Sequence, residues 1–253
     1  MAEGEAVLRT SALNKSFGRL EVARDISIAL PRGARHALIG PNGAGKTTLI
    51  NLITGQLKPD SGSILLEGQD ITASPPAARV RHGLTRTFQI NTLFPDLTPI
   101  EAVTLAVCER EGKAGQFWRS LSSHADAIDE SFGILTQLGL ADAATRTTRT
   151  LAYGQQRLLE IALALATRPK VLLLDEPAAG VPKDESAALF GVIAALPADI
   201  TVLFIEHDMD IVFRFASRII VLVSGAVLVE ADPATVRGDP RVREVYLGSA
   251  HHG

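Results

Sequence analysis

Eight consecutive residues, Gly40-Pro41-Asn42-Gly43-Ala44-Gly45-Lys46-Thr47, have the spacing G-x-x-x-x-G-K-[ST]. Glycines at these positions let backbone N–H groups converge on phosphate oxygens. A helix expected to run on from Thr48 to Thr54 turns its unpaired N–H groups and positive dipole end toward the same anion. Lys46 would reach the β- and γ-phosphates. The Thr47 hydroxyl would coordinate a Mg²⁺ that bridges those phosphates and offsets their charge. An apolar run leads straight into the loop from Ala34 to Ile39, so both the strand before it and the helix after it are expected.

Further along, Val171-Leu-Leu-Leu-Asp175-Glu176-Pro177 sets two acids at the end of a second apolar run. A buried parallel strand ending there would emerge beside the phosphate loop. Asp175 would then hold Mg²⁺, directly or through water, and Glu176 could take a proton from the water attacking a γ-phosphate. His207 follows a third run, Thr201–Ile205, and is suited to hydrogen bonding the γ-phosphate from the same sheet edge. His36, His82, His124, His251 and His252 read as structural residues. Gln89, in Arg86-Thr-Phe-Gln89, stands where a strand gives way to a helical stretch. In Leu151-Ala-Tyr-Gly154-Gln155-Gln156-Arg157, which opens the apolar helical run Leu158–Ala166, Gly154 falls near another helix start able to receive phosphate.

These residues need a scaffold, and the pattern supplies one. Ile26, Ile28 and Leu30 alternate with small or polar neighbours. Val171–Leu174, Thr201–Ile205 and Arg218–Val223 are separated by helical patterns such as Asp184–Leu196. Strands alternating with helices imply a parallel α/β core. Strand signals vanish between about Asn91 and Thr150, where Pro99–Val107 and His124–Leu140 are amphipathic. A helical subdomain inserted over roughly 91–165 is therefore expected. The final stretch, 225–253, with a strand-like Ala226–Glu230 and short helical pieces at Pro233 and Pro240, reads as a small C-terminal appendage of one domain spanning 1–253. The two prolines within Ala73–Ala78 suggest a loop.

Composition narrows the function classes. The 253 residues carry 25 Lys plus Arg against 28 Asp plus Glu, interspersed, so no basic field favours nucleic acid. The one cysteine, Cys108, cannot form an internal disulfide, which fits a reducing compartment. No apolar run approaches the roughly 20 residues of a membrane-spanning helix. The acidic start, Met1–Leu8, lacks a signal peptide's pattern. A membrane role would have to come through partners.

The ordered set of five motifs resembles the nucleotide-binding subunit of ATP-binding cassette (ABC) transporters over nearly the whole chain. On that resemblance Gly40–Thr47 is the Walker A loop, with Thr48 beside it, and Gln89 is the Q-loop residue on Mg²⁺. Leu151–Gln155 is the signature, Val171–Glu176 is Walker B, His207 is the switch histidine, and Phe17 is the aromatic that stacks on adenine. Leu-Ala-Tyr-Gly-Gln-Gln-Arg, Arg-Thr-Phe-Gln, Glu-Pro-Ala-Ala-Gly and the ending Val-Tyr-Leu-Gly are similar to the branched-chain amino acid importers. Relatives that handle urea or amides share similar wording.

The resemblance implies a P-loop NTPase fold of the ABC-ATPase kind, with a mainly parallel sheet core, an antiparallel β part and the helical subdomain. It implies two ATPase subunits, identical or paralogous, sandwiching two ATP molecules, so that Gly154 and Gln155 of one meet the ATP of the other. Two membrane permeases and, indirectly, an extracytoplasmic solute-binding protein complete the assembly at the cytoplasmic face of the membrane. Ala152 and Tyr153 replace the family's usual serine and glycine, and the segment after Glu176 is one residue shorter than usual. A soluble ABC-type ATPase of DNA repair or translation is the rival class. Such relatives carry long coiled coils or two cassettes per chain, and neither pattern is seen here. A GTP switch fits less well, because Asn14-Lys15-Ser16-Phe17 lacks the aspartate of a guanine reader.

Overall fold

The computed structural model describes residues 6–87, 93–113 and 124–248. Six strands form the central sheet: β3 (Arg35–Ile39), β6 (Leu84–Arg86), β7 (Val171–Asp175), β8 (Thr201–Ile205), β9 (Arg218–Val223) and β10 (Ala226–Ala231), in the order β10-β9-β3-β8-β7-β6. Every pairing is parallel except the hairpin β9–β10. A second, antiparallel sheet has the order β2-β1-β4-β5, from β1 (Ala6–Phe17), β2 (Leu20–Pro31), β4 (Ser61–Leu66) and β5 (Gln69–Asp70).

The apolar runs of the central strands serve two cores, because successive side chains leave opposite faces of a sheet. Ala37, Ile39, Leu172, Leu174, Val202, Phe204, Ile219 and Val221 enter one core. Their neighbours Leu38, Val171, Leu173, Leu203, Ile205, Ile220 and Leu222 enter the other. The first face is covered by α3 (Pro99–Arg110), α4 (Ala125–Gln137), α5 (Tyr153–Leu165), α6 (Lys183–Ala194) and α7 (Met209–Phe215). The second is covered by α1 (Lys46–Thr54) and the antiparallel sheet, through Leu8, Leu13, Ile26, Ile28, Leu30 and Ile64. Each fully buried aliphatic side chain contributes ~1.5–3 kcal/mol of transfer free energy, so a charge at any one of these positions would disrupt the core its face packs against.

Two expectations from the sequence need correction. A loop over Ala73–Ala78 stops at Pro76, which begins α2 (Pro76–Arg81); proline at the first helical position loses no hydrogen bond and has its φ preset. The helix expected from Leu158 begins five residues earlier, at Tyr153, because the Gln155 side chain reaches back to accept from the Ala152 N–H at 3.2 Å. The end of the chain forms α8 (Pro233–Gly238) and α9 (Pro240–Gly248). The strand just before them, β10, is an edge of the central sheet itself. No helix among the described residues is long and apolar enough to cross a membrane.

Candidate active site

Strands β3, β6, β7 and β8 run in parallel, so the residues that follow them gather at one edge of the sheet. Beyond Ile39 the chain turns through Gly40–Gly45 into α1. This turn depends on glycine at two points. A Cβ on Gly45 (φ +100°) would sit 2.6 Å from the Val22 carbonyl oxygen, and one on Gly40 would sit 2.1 Å from that of Leu222. The loop is braced from a distant part of the chain, since Gly225 N–H donates to the Ala44 carbonyl at 2.9 Å and the Gly225 carbonyl accepts from Arg24 N–H at 2.7 Å. Lys46 is almost fully buried and folds back on the loop, its Nζ donating to the carbonyls of Gly40 (2.7 Å) and Pro41 (3.1 Å). Burial lowers its pKa, and the carboxylates of Glu176 and Asp175 partly oppose that shift. The ammonium thus waits in the loop that phosphates would enter. Asn42, Gly43 and Thr47 are exposed there, with Pro41 and Thr48 half-buried.

Thr47, Asp175 and Glu176 line one cleft of about 400 Å³ together with Asn51, Gln56, Arg86 and Thr87. A hydroxyl and a carboxylate are hard oxygen donors, the set that Mg²⁺ takes alongside phosphate and water, so these residues fit that ion. Arg86 engages the same carboxylate: its Nη2 pairs with Asp175 Oδ2 while its Nη1 donates to Asn51 Oδ1 at 2.8 Å. Gln89 lies outside the described residues.

Glu176 has a left-handed backbone (φ 49°), with its N–H donating to the Ile205 carbonyl at 3.0 Å. That bond fixes the end of β7 to the end of β8. Backbone strain at a non-glycine residue costs on the order of 1–3 kcal/mol and persists only where the surroundings enforce it. Its Oε1 lies 2.7 Å from Nε2 of His207, so acid and imidazole form one hydrogen-bonded pair. Glu206, buried between them, binds both loops. Its Oε1 accepts from Ala178 N–H at 2.9 Å and its Oε2 from His207 N–H at 3.2 Å. Burial raises the Glu206 pKa.

Leu151–Gln155 sits elsewhere, against the segment that follows Glu176. Gly154 is in the first turn of α5, where a Cβ would stand 3.1 Å from Glu185 Oε2, and exposed Tyr153 lies against Gly180. Phe17 is exposed at the β1–β2 turn, paired with Leu20, and β2 then passes Val22 under Gly45. His36 is buried in β3, and burial lowers its pKa to about 4, so it is neutral as a structural histidine should be.

Four contributors were not singled out from sequence. Arg86 and Glu206 are ordinary charges whose partners emerge only in the folded chain. Gly225, in the turn after an apolar strand, carried a faint signal. Tyr246 belongs to the Val-Tyr-Leu-Gly ending; burial pushes its phenol up to about 12, opposed by a hydrogen bond with the Gly40 backbone.

Comparison with known proteins agrees with this geometry. A family model described as "ABC transporter" matches residues 23–179, and one described as "Branched-chain amino acid ATP-binding cassette transporter" matches residues 226–252. The chain is similar to the high-affinity branched-chain amino acid transport ATP-binding protein BraF of Pseudomonas aeruginosa, 38% identical over 253 residues, covering 96% of this chain and 98% of BraF. It is also similar to LivG of Escherichia coli, a protein of the same description, 38% identical and covering 97% of this chain and 99% of LivG. Among solved structures, the ADP conformation of MJ1267, an ATP-binding cassette of an ABC transporter, superimposes with a TM-score of 0.85 at 34% identity, covering 96% and 99% of the two chains.

Proposed function

We propose, for a chain that belongs to the ATP-binding proteins of ABC transporters, of the branched-chain amino acid type, a cycle in which ATP binding and hydrolysis at the cytoplasmic face of a membrane drive uptake of branched-chain or related amino acids. The observation that carries the chemistry is Glu176, which lines the cleft with Thr47 and Asp175 and is hydrogen-bonded to His207.

ATP enters with its phosphates on Gly40–Thr47. Lys46 exchanges its two carbonyl contacts for β- and γ-phosphate oxygens, a charge-assisted exchange. The exposed Phe17 ring, with Lys15 Nζ 5.7 Å from its centre, would stack on the adenine. Thr47 and Asp175, with Gln89, would hold Mg²⁺, which when bound offsets phosphate charge. The Glu176 carboxylate accepts the proton of a water attacking the γ-phosphorus in line with the departing ADP oxygen. In the resting chain the His207 Nε2 steadies that carboxylate, and with ATP in place its single N–H turns to the γ-phosphate instead.

The exposed start of α5, with Gly154 and Gln155, supports a second half of the site supplied between subunits: in a two-fold pair each ATP is closed by its partner's signature. ATP favours the closed pair and ADP does not. That difference in affinity is what can move two permeases between orientations.

The test is isolation of the tagged chain from detergent-solubilised native membranes with identification of what accompanies it, joined to uptake of labelled leucine by cells with and without the chain. Two polytopic permeases and loss of leucine uptake support the proposal. Permeases with intact leucine uptake but lost urea or amide uptake would move the substrate class, and only ribosomal or DNA-repair partners would remove the transport role.

A further inference from the structure

The segment joining Glu176 to α6 is gripped from two sides. On the sheet side, Ala178 N–H donates to Glu206 and Ala179 N–H to the Glu176 carbonyl at 2.9 Å. The helix side is less expected. Arg157 and Glu160, one turn apart on α5, are 6% and 7% exposed and form an ion pair at 3.0 Å. Arg157 Nε and Glu160 Oε1 are buried without a partner, so the pair is not an arrangement that stability alone would favour.

What the buried guanidinium does is reach outward. Its Nη2 donates both to the Ala179 carbonyl (3.1 Å) and to the Tyr153 hydroxyl (3.2 Å), and its Cζ lies 5.3 Å from the centre of the Tyr153 ring. That ring in turn presses on Gly180, in left-handed conformation (φ +79°), where an added Cβ would stand 2.9 Å from the tyrosine Oη and 3.0 Å from its Cζ. Tyrosine at the signature position and a short segment after Glu176 both depart from the usual pattern of the wider ABC family, and here they touch.

We propose that Tyr153 and Arg157 are positioning residues that clamp residues 177–182 to the first turn of α5, so that the signature and the loop carrying Glu176 move as one body. A bound phosphate that draws in the start of α5 then also sets the base. The inference rests on the reading of Glu176 and the signature given above, but the clamp itself can be read without nucleotide.

The experiment is native-state hydrogen exchange on the purified full-length chain. It compares wild type with Arg157→Lys, which keeps a charge beside Glu160, with Tyr153→Ala, and with Tyr153→Phe, which keeps the ring on Gly180. Arg157→Lys and Tyr153→Ala are expected to speed exchange of peptides spanning 177–182 about five- to tenfold, the effect of losing roughly one net hydrogen bond. Peptides of β3 and β8 should be unaffected, and Tyr153→Phe should restore most of the protection. In steady-state assays the two disruptive variants should lower kcat by a similar factor with KM for ATP within about twofold, and the double variant should be no worse than the lower single.

Unchanged exchange at 177–182, or exchange that rises equally throughout the chain, overturns the clamp. Local exchange with multiplicative losses of kcat overturns the claim that the two residues act as a unit. If exchange behaves as expected while Glu176→Gln remains fully active, the clamp stands and the assignment of Glu176 falls.

Discussion

Replacing Arg86 by glutamine separates the two occupants that Asp175 can have. The arginine fork spans Asp175 and Asn51, with the Arg86 and Asp175 side chains only 13% and 19% exposed. A hydrogen bond to a charged group is worth ~1.5–3 kcal/mol net and a neutral one ~1 kcal/mol; water at the cleft mouth recovers part of this, leaving ~2–3 kcal/mol. For a chain of this size each kcal/mol moves Tm by ~2–4 °C, so Arg86→Gln is expected to melt ~4–12 °C below wild type in EDTA. If Asp175 is also a ligand to Mg²⁺, the metal replaces the lost arginine contact. In saturating Mg-ADP the deficit should then shrink by at least about half, because a ligand stabilises most where it need not displace a partner. ADP with EDTA supplies the phosphates without the metal and should leave the deficit intact. Thermal melts of both proteins under these three conditions decide it. An equal deficit with and without Mg²⁺ would refute competition between Arg86 and the metal for Asp175.

Two further outcomes are expected. Glu130 of α4 is held by Arg110 and then Arg168, and these contacts lower its pKa from 4.5 to about 2. A fall of that size is worth roughly 3 kcal/mol unscreened, and ~1–2 kcal/mol once water around the exposed Arg168 is counted. Because the folded pKa is depressed, the stabilisation is complete above about pH 4.5 and is lost as pH falls toward about 2; Glu130→Gln should therefore lower the urea midpoint at pH 7 and hardly at all near pH 2. Gly45→Ala combines a strained φ with a Cβ 2.6 Å from a backbone oxygen, whereas Gly43→Ala (φ +77°) meets nothing within 4 Å. Strain alone costs ~1–3 kcal/mol at either position, so only Gly45→Ala should fall well beyond that in a denaturant titration.

The parts of this molecule that could be read from its sequence are those where chemistry demands a residue at a fixed local spacing. The loop Gly40–Thr47, the acids after Val171–Leu174 and the histidine after Thr201–Ile205 are each written within a few residues. Their convergence follows from the parallel order of the strands that carry them. Of the antiparallel sheet only the alternation at Ile26, Ile28 and Leu30 of β2 was legible, and the rest was hard to see for the opposite reason. β1 pairs with β2 through several register shifts, with Ala12 at positive φ, so the apolar residues of β1 lose the alternation that marks a strand. Arg86 reaches Asp175 across 89 positions, and Gly225 braces Ala44 from across the chain. Such contacts have no local signature. The Tyr153–Gly180 contact was present in sequence only as two unexplained departures, and folding brings the two together.

Hydrolysis of ATP by this chain turns on Glu176 acting as the base. The decisive comparison is phosphate release from Mg-ATP by the purified full-length chain and by Glu176→Gln, followed together with ATP-dependent self-association. The variant is expected still to bind ATP, to release phosphate at least about a hundredfold more slowly, as loss of a general base entails, and to accumulate as an ATP-bound pair. Turnover by Glu176→Gln at the wild-type rate would rule out Glu176 as the base.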